Sequence, residues 1–187
     1  MHPEENHEVT VTGPAVPPAD LGRLGSWVLL AYRLPREPSN PRVAVWRKLE
    51  RLGVARLGDG LVALPADART REQIEWLAEE ILEAGGTSTV WLATPGGAAQ
   101  ERMIAQAMRA ARTAEYRAVI DQARDAAKGS AAAERMRVLR RLRGELRRIA
   151  RRDFFPPPER EAARAAVAAL AADAIATGAP AVVKEGS

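Results

Sequence analysis

The stretch from Ser26 to Pro65, SWVLLAYRLPREPSNPRVAVWRKLERLGVARLGDGLVALP, constrains the fold of this chain more than any other. Trp27 to Leu34 is short and mostly apolar around Val28, Leu29 and Leu30, which suits a strand covered on both faces. Pro35 and Pro38 stop it, because neither can donate to a ladder. Asn40 then stands where a helix N-cap would, with Pro41 at the first helical position, where a missing N–H costs nothing. Val45, Leu49 and Leu52 recur at helical spacing, while Arg42, Arg47, Lys48 and Arg51 take the other side. Gly53 predicts the helix end, as the residue past the last turn that takes a positive φ. Two apolar runs follow, Val54–Leu57 and Leu61–Leu64, and Gly58-Asp59-Gly60 between them predicts a tight hairpin.

Thr70-Arg71-Glu72-Gln73 predicts a second helix, with Thr70 as cap and Gln73 as its capping-box partner. Ile74, Leu77 and Ile81, with Trp76 beside them, are expected to line its apolar side, and Gly85-Gly86 ends it. Thr87–Ala93 is rich in β-branched and aromatic residues and predicts a last strand. The resulting order is βαββαβ, so residues 25–95 are expected to form an α+β, ferredoxin-like domain with helices on one face of its sheet. Trp27, Trp46, Trp76 and Trp91 all fall inside these elements and are expected at the core or its margin.

Pro95-Gly96-Gly97 marks a boundary, and an all-helical region is expected over 96–178. Its first helix runs from Ala98 to Lys128, with Tyr116 expected to pack inward and tie its hydroxyl to a backbone group. Gly129-Ser130 breaks that helix. A basic helix over 131–152 follows, with Met136, Leu139, Leu142, Leu146 and Ile149 as a narrow apolar seam. Phe154-Phe155 and three prolines end it, the two rings clamping onto the core, before an alanine-rich helix from Glu159 to Thr177. Residues 1–24, polar and broken by Pro14, Pro17 and Pro18, read as a disordered tail, and 179–187 as a frayed one.

Composition removes whole classes of chemistry. The chain has no cysteine, so disulfides, thiolate metal sites and thiol nucleophiles are excluded. Its only histidines, His2 and His7, lie in the polar N-terminal tail, so neither a histidine metal centre nor a Ser-His triad is expected. No G-x-G-x-x-G is present, and no cofactor is expected. No apolar run approaches the roughly 20 residues of a membrane span, and the N-terminus lacks the basic-then-apolar order of a signal peptide. The reading is a cytoplasmic, non-catalytic protein that does not enter a membrane.

The charge is unevenly placed. Residues 131–152 hold nine arginines against Glu134 and Glu145, a local charge of +7 in a chain whose net charge is +4. Arg137, Arg141, Arg148 and Arg152 fall on one flank of the helix and Arg140, Arg147 and Arg151 on another, all opposite the leucine seam. Two readings stay open: a helix that contacts nucleic-acid phosphates, or a solvated face whose arginines pair with acids such as Glu79, Glu80 and Glu83. A second candidate is the loop and cap around Arg33, Arg36, Asn40 and Arg42, where guanidinium forks and a helix N-terminus suit an anion. The competing reading there is an ordinary capped loop.

The run W-V-L-L-A-Y-R-L-P-R-E-P-S-N-P-R-V-A-V-W-R-K-L-E-R-L-G, the later L-P and the A-R-T-A-E-Y around Tyr116 resemble the N-terminal domain of the chromate-resistance regulators called ChrB. More distantly, W-R-K-L-E-R-L-G followed by L-G-D-G-L-V-A-L-P is similar to the central domain of PaaX-type repressors, a relative of the ferredoxin-like Cas2 fold. The resemblance implies a DNA-binding regulator with chromate or another oxyanion as effector, and the basic helix then offers Arg137, Arg140, Arg141, Arg147, Arg148 and Arg151 as its phosphate contacts. Cas2-type nucleases hold a metal with an acidic residue at the end of the first strand; here Ala31, Tyr32, Arg33 and Leu34 stand there, which implies no catalysis. ChrB proteins commonly carry a second, chromate-resistance domain that 187 residues do not accommodate. That implies either a stand-alone relative or a partner chain bearing the other half. The alternative function is an interaction module whose sheet forms a homodimer.

Overall fold

Alternation along one central strand sorts this molecule into layers. The computed structural model describes residues 25–37, 39–129 and 131–178, so the expectations for the two tails lie outside the described residues. Strand β1 (Trp27–Arg33), helix α1 (Ser39–Leu52), strands β2 (Ala55–Gly58) and β3 (Leu61–Pro65), helix α2 (Ala68–Glu83) and strand β4 (Thr87–Ala93) follow the expected βαββαβ order. The sheet is antiparallel throughout, in the order β2-β3-β1-β4, so each helix crosses over a strand inserted between the two it connects. This is the ferredoxin-like arrangement.

Val28 and Leu30 on β1, opposite Leu64 and Val62 on β3, are fully buried with Val45 and Leu49 of α1 and Ile74 and Ile81 of α2. Each such side chain stabilises the fold by about 1.5–3 kcal/mol. The other face, carrying Trp27, Leu29, Ala63 and Ala55, is covered as well, in part. Helix α3 (Ala98–Gly129) lays Ile104 and Met108 against it, and Phe154 and Phe155 close on it as the expected clamp. Phe155 stacks on Trp27 at 6.1 Å, and the Trp27 indole N–H donates to Glu101 Oε1 at 3.3 Å. The second half of α3 joins helices α4 (Ala132–Ala150) and α5 (Glu159–Gly178) around a separate core of Tyr116, Val119, Ile120, Leu139, Leu142, Ile149, Val167 and Leu170.

Three local expectations change. Helix α1 begins at Ser39, so Asn40 lies inside the first turn and Pro41 still falls where its missing N–H has no helical acceptor to lose. Helix α2 is capped by Asp67: its carboxylate accepts from the Thr70 N–H at 2.6 Å, and the Thr70 hydroxyl accepts from the Asp67 N–H at 2.9 Å. Thr70 is the third residue of that box, fully buried, its hydroxyl also held by the Pro65 carbonyl at 2.7 Å. Of the four tryptophans only Trp27 is core; Trp46, Trp76 and Trp91 are 53%, 62% and 58% exposed. Trp76 lies 200° round the helix from buried Ile74, and Trp46 is turned to the flank whose Glu50 pairs with Arg56 of β2. Trp91 lies on the part of the second sheet face beyond α3.

Gly53 meets the expected φ of +71° and carries a second constraint. A Cβ there would stand 2.7 Å from Arg152 Cβ and 2.9 Å from Arg112 Nη1. Gly53→Val is therefore expected to lose on the order of 1–3 kcal/mol in urea unfolding, from backbone strain and displacement of Arg152 together. An unchanged midpoint would show that the junction tolerates a side chain.

Candidate nucleic-acid interface

Helix α4 turns its arginines by the same periodicity that buries its leucines. Leu139, Leu142 and Ile149 are buried and Leu146 partly so, while Met136 is 41% exposed and lies outside the seam proper. At 3.6 residues per turn, Arg137, Arg140, Arg141, Arg147, Arg148 and Arg151 radiate from the opposite side, and all six are exposed. Among the described residues Arg148 alone of these has an acidic partner, Glu145 one turn back. Arg141 donates to Gln122 Oε1 at 2.6 Å and Arg140 to the Met136 carbonyl at 3.4 Å. The acids of α2 do not reach this face; Glu80 pairs with Lys48 of α1 instead. Surface pairs of the Arg148–Glu145 kind contribute about 0–1 kcal/mol, so the face is a field of cations with little internal neutralisation.

Gly144 sits in the middle of that field, between the two arginine rows. A Cβ there would meet only Arg147 Nη2, at 3.9 Å. The sequence places it between Arg140–Arg141 and Arg147–Arg148, and a glycine inside a helix costs about 1 kcal/mol relative to alanine and so asks for a reason.

The end of α4 is anchored by a part-buried polar junction, and Arg152 belongs to it instead of to the outer flank. Helix α4 stops at Ala150, so Arg152 leaves the helical projection, donating to the Glu50 carbonyl of α1 at 3.1 Å and to Glu115 of α3 at 3.1 Å. Arg112 reaches Glu115 at 3.1 Å. Burial lowers the Arg112 pKa against the pull of Glu115, and burial likewise raises that of Glu115 against Arg112 and Arg152. Desolvation thus exceeds attraction on both sides of the pair, so the cluster fixes geometry more than it adds stability. Beside it the Tyr116 hydroxyl donates to Asp153 Oδ2 at 2.9 Å, a side-chain partner 37 residues away where a backbone group was expected. Arg69 of α2 completes the joint, donating to the Arg151 carbonyl at 3.3 Å with its guanidinium 5.9 Å above the Phe154 ring.

The other sequence candidate stays at the surface. Arg33 ends β1, Arg36 lies in the following loop, and Asn40 and Arg42 occupy the first turn of α1; all four are exposed. Arg33, Arg36 and Arg42 form no ion pair among the described residues, Arg36 with Glu37 included. No group of three or more His, Asp or Glu placed to hold a metal ion occurs among the described residues. No described helix is long and apolar enough to cross a membrane.

A family model described as "Protein ChrB, N-terminal" matches residues 42–182. The chain is 31% identical over 134 residues to "Protein ChrB" of Cupriavidus metallidurans, an alignment covering 70% of this chain and 41% of that protein. The chain thus spans well under half the length of the relative it matches. No solved structure matches it.

The junction yields a pH prediction. Burial, with the bond to Asp153, pushes the Tyr116 phenol from 10.0 up to about 12. Between those values the unfolded chain releases this proton while the folded chain keeps it, so stability is intact below pH 10 and falls as pH rises toward 12. Tyr116→Phe should flatten that alkaline decline, and at pH 7 should cost about 1–3 kcal/mol, because Asp153 loses its donor in a fully buried site. Urea titrations of both proteins at pH 7 and pH 11 read the two effects; equal alkaline slopes would refute the assignment.

Proposed function

The chain belongs to the ChrB N-terminal family, and on that premise we propose that it is a transcriptional regulator of chromate resistance that binds DNA through α4. The observation that carries the reading is the outer face of α4, where six exposed arginines have a single acidic partner among the described residues. Clustered guanidinium groups displace condensed counterions from a duplex, which supplies sequence-independent affinity. Gly144 supports the same reading: with no side chain between the arginine rows, a sugar-phosphate backbone can lie directly against the helix. Such contacts position a duplex and carry no base information themselves, so operator choice falls to other surfaces or to DNA shape. A regulator of this kind works in the cytoplasm and needs no catalytic group or cofactor.

Chromate or another oxyanion is the effector in this reading, with Arg33, Arg36, Asn40 and Arg42 offering exposed guanidinium and first-turn amide donors. The partners in this reading are DNA and a second copy of this chain. A non-catalytic interaction module is the second reading, favoured by the exposed Trp91 and Leu92 on β4.

Changing Arg140, Arg141, Arg147 and Arg148 to glutamine tests the first reading. All four are exposed, so the variant should melt within a degree or so of the wild type. Wild-type binding to duplexes should weaken with salt with a log–log slope near −0.9 per phosphate neutralised. The variant should bind every sequence more weakly, its slope shallower by about one unit per lost contact. Wild-type affinity in the variant, or no wild-type binding at low salt, would sink DNA contact by α4. Gly144→Ala should separate the two roles of that position: about 0.5–1 kcal/mol more stable, yet weaker on DNA. Equal affinity would show that no backbone approaches there.

A further inference from the structure

The sheet treats its two edges differently. Strand β2 at one edge is four residues long, is bulged at Leu57, and carries Arg56, which pairs with Glu50 at 2.7 Å. Shortness, a bulge and a charge each discourage another strand from adding. Strand β4 at the other edge has none of these devices. It is seven residues long, pairs with β1 in unbroken register, and contains no charge, proline or glycine from Thr87 to Ala93. Among the described residues its backbone bonds only to β1. Trp91 and Leu92 on its opposite faces are more than half exposed, as is Leu82 on α2. Glu80 faces α1 through Lys48, and Leu82 lies 200° round the helix from it, on the flank turned toward the β4 edge.

We propose that β4 is a homodimer interface, where a second copy of this chain adds its own β4 antiparallel about a two-fold axis at Val90. Self-pairing fits this strand because neutrality along its whole length lets it meet its copy with no like charges opposed, on a chain that is 28% charged overall. The axis sets Thr89 opposite the partner copy's Trp91 on the sheet face beyond α3, a β-branched–aromatic pair of the kind that stabilises antiparallel sheets. Ser88 meets Leu92 on the helix-covered face, and the Leu82 flanks of the two α2 helices approach across the seam. The result is a continuous eight-stranded sheet with one isologous contact. The inference is independent of DNA binding.

Sedimentation equilibrium of the full chain, without DNA, provides the test. The wild type should sediment at twice 20.2 kDa. Trp91→Lys and Leu92→Lys, at exposed positions, should keep the helical circular dichroism and dissociate at least roughly tenfold more readily. Adding Thr89→Glu to Trp91→Lys should restore the dimer, since the two new charges face one another across the axis. The chain has no native cysteine, so Val90→Cys should cross-link to its copy on mild oxidation while Thr87→Cys should not. A monomeric wild type would overturn the proposal and leave the edge to a partner of another kind. A dimer indifferent to both lysine variants, or one cross-linked equally through Thr87→Cys, would overturn it by placing the contact elsewhere.

Discussion

Helix α3 is a member of both hydrophobic cores, and the rest of the architecture follows from that double membership. Its 32 residues span about 48 Å, with Ile104 and Met108 on the sheet and Tyr116, Val119 and Ile120 among the other helices. A rigid rod shared in this way leaves no hinge between the α/β layer and the bundle. The long helix also resolves a problem in the sheet: Trp27, Ala63 and Ala55 lie on the face that α1 and α2 do not reach, and each needs an apolar neighbour. Opening either core would drag on the other, so the described chain is expected to unfold as one cooperative unit.

The basic segment that dominates the charge map divides between two physical roles. Arg152 turns inward with Arg112 to meet Glu115, where burial makes each charge expensive and geometry the return. The arginines earlier in α4 stay in water, where a guanidinium keeps its hydration until something displaces it. Local sequence gave no notice of this division, because it depends on where the helix ends. Two residues past the last turn, the backbone bends toward Phe154 and Phe155, and a side chain that a helical projection assigns outward points to the protein instead.

Legibility followed the range of the interaction. Gly53, Gly60 and Gly85 adopt positive φ as their positions in the pattern required, since turn chemistry is decided within a few residues. The βαββαβ order and the seam of Leu139, Leu142 and Ile149 were equally plain. The α2 cap was harder: Asp67 and Thr70 are both capping residues three apart, and a buried bond from Thr70 to Pro65 decided between them. Tyr116 found Asp153 across 37 residues, which no local pattern reports. The tryptophans misled because aromatic area argues for burial while three of these side chains point away from every covering layer. For the arginine face, the periodicity was readable; the want of acidic neighbours required the packing of α1 against α2, which occupies Glu80.

The lone burial of Trp27 has a consequence for anyone following this protein by light. Three indoles are already more than half exposed, and their emission should change less than the fourth's when the chain unfolds. The fourth, at the start of β1, is held by Glu101 near the start of α3 and by Phe155 from a loop 128 positions along the chain. Intrinsic fluorescence therefore works as a single-site gauge of whether that distant loop has docked on the sheet, and through it of the cooperative unit as a whole.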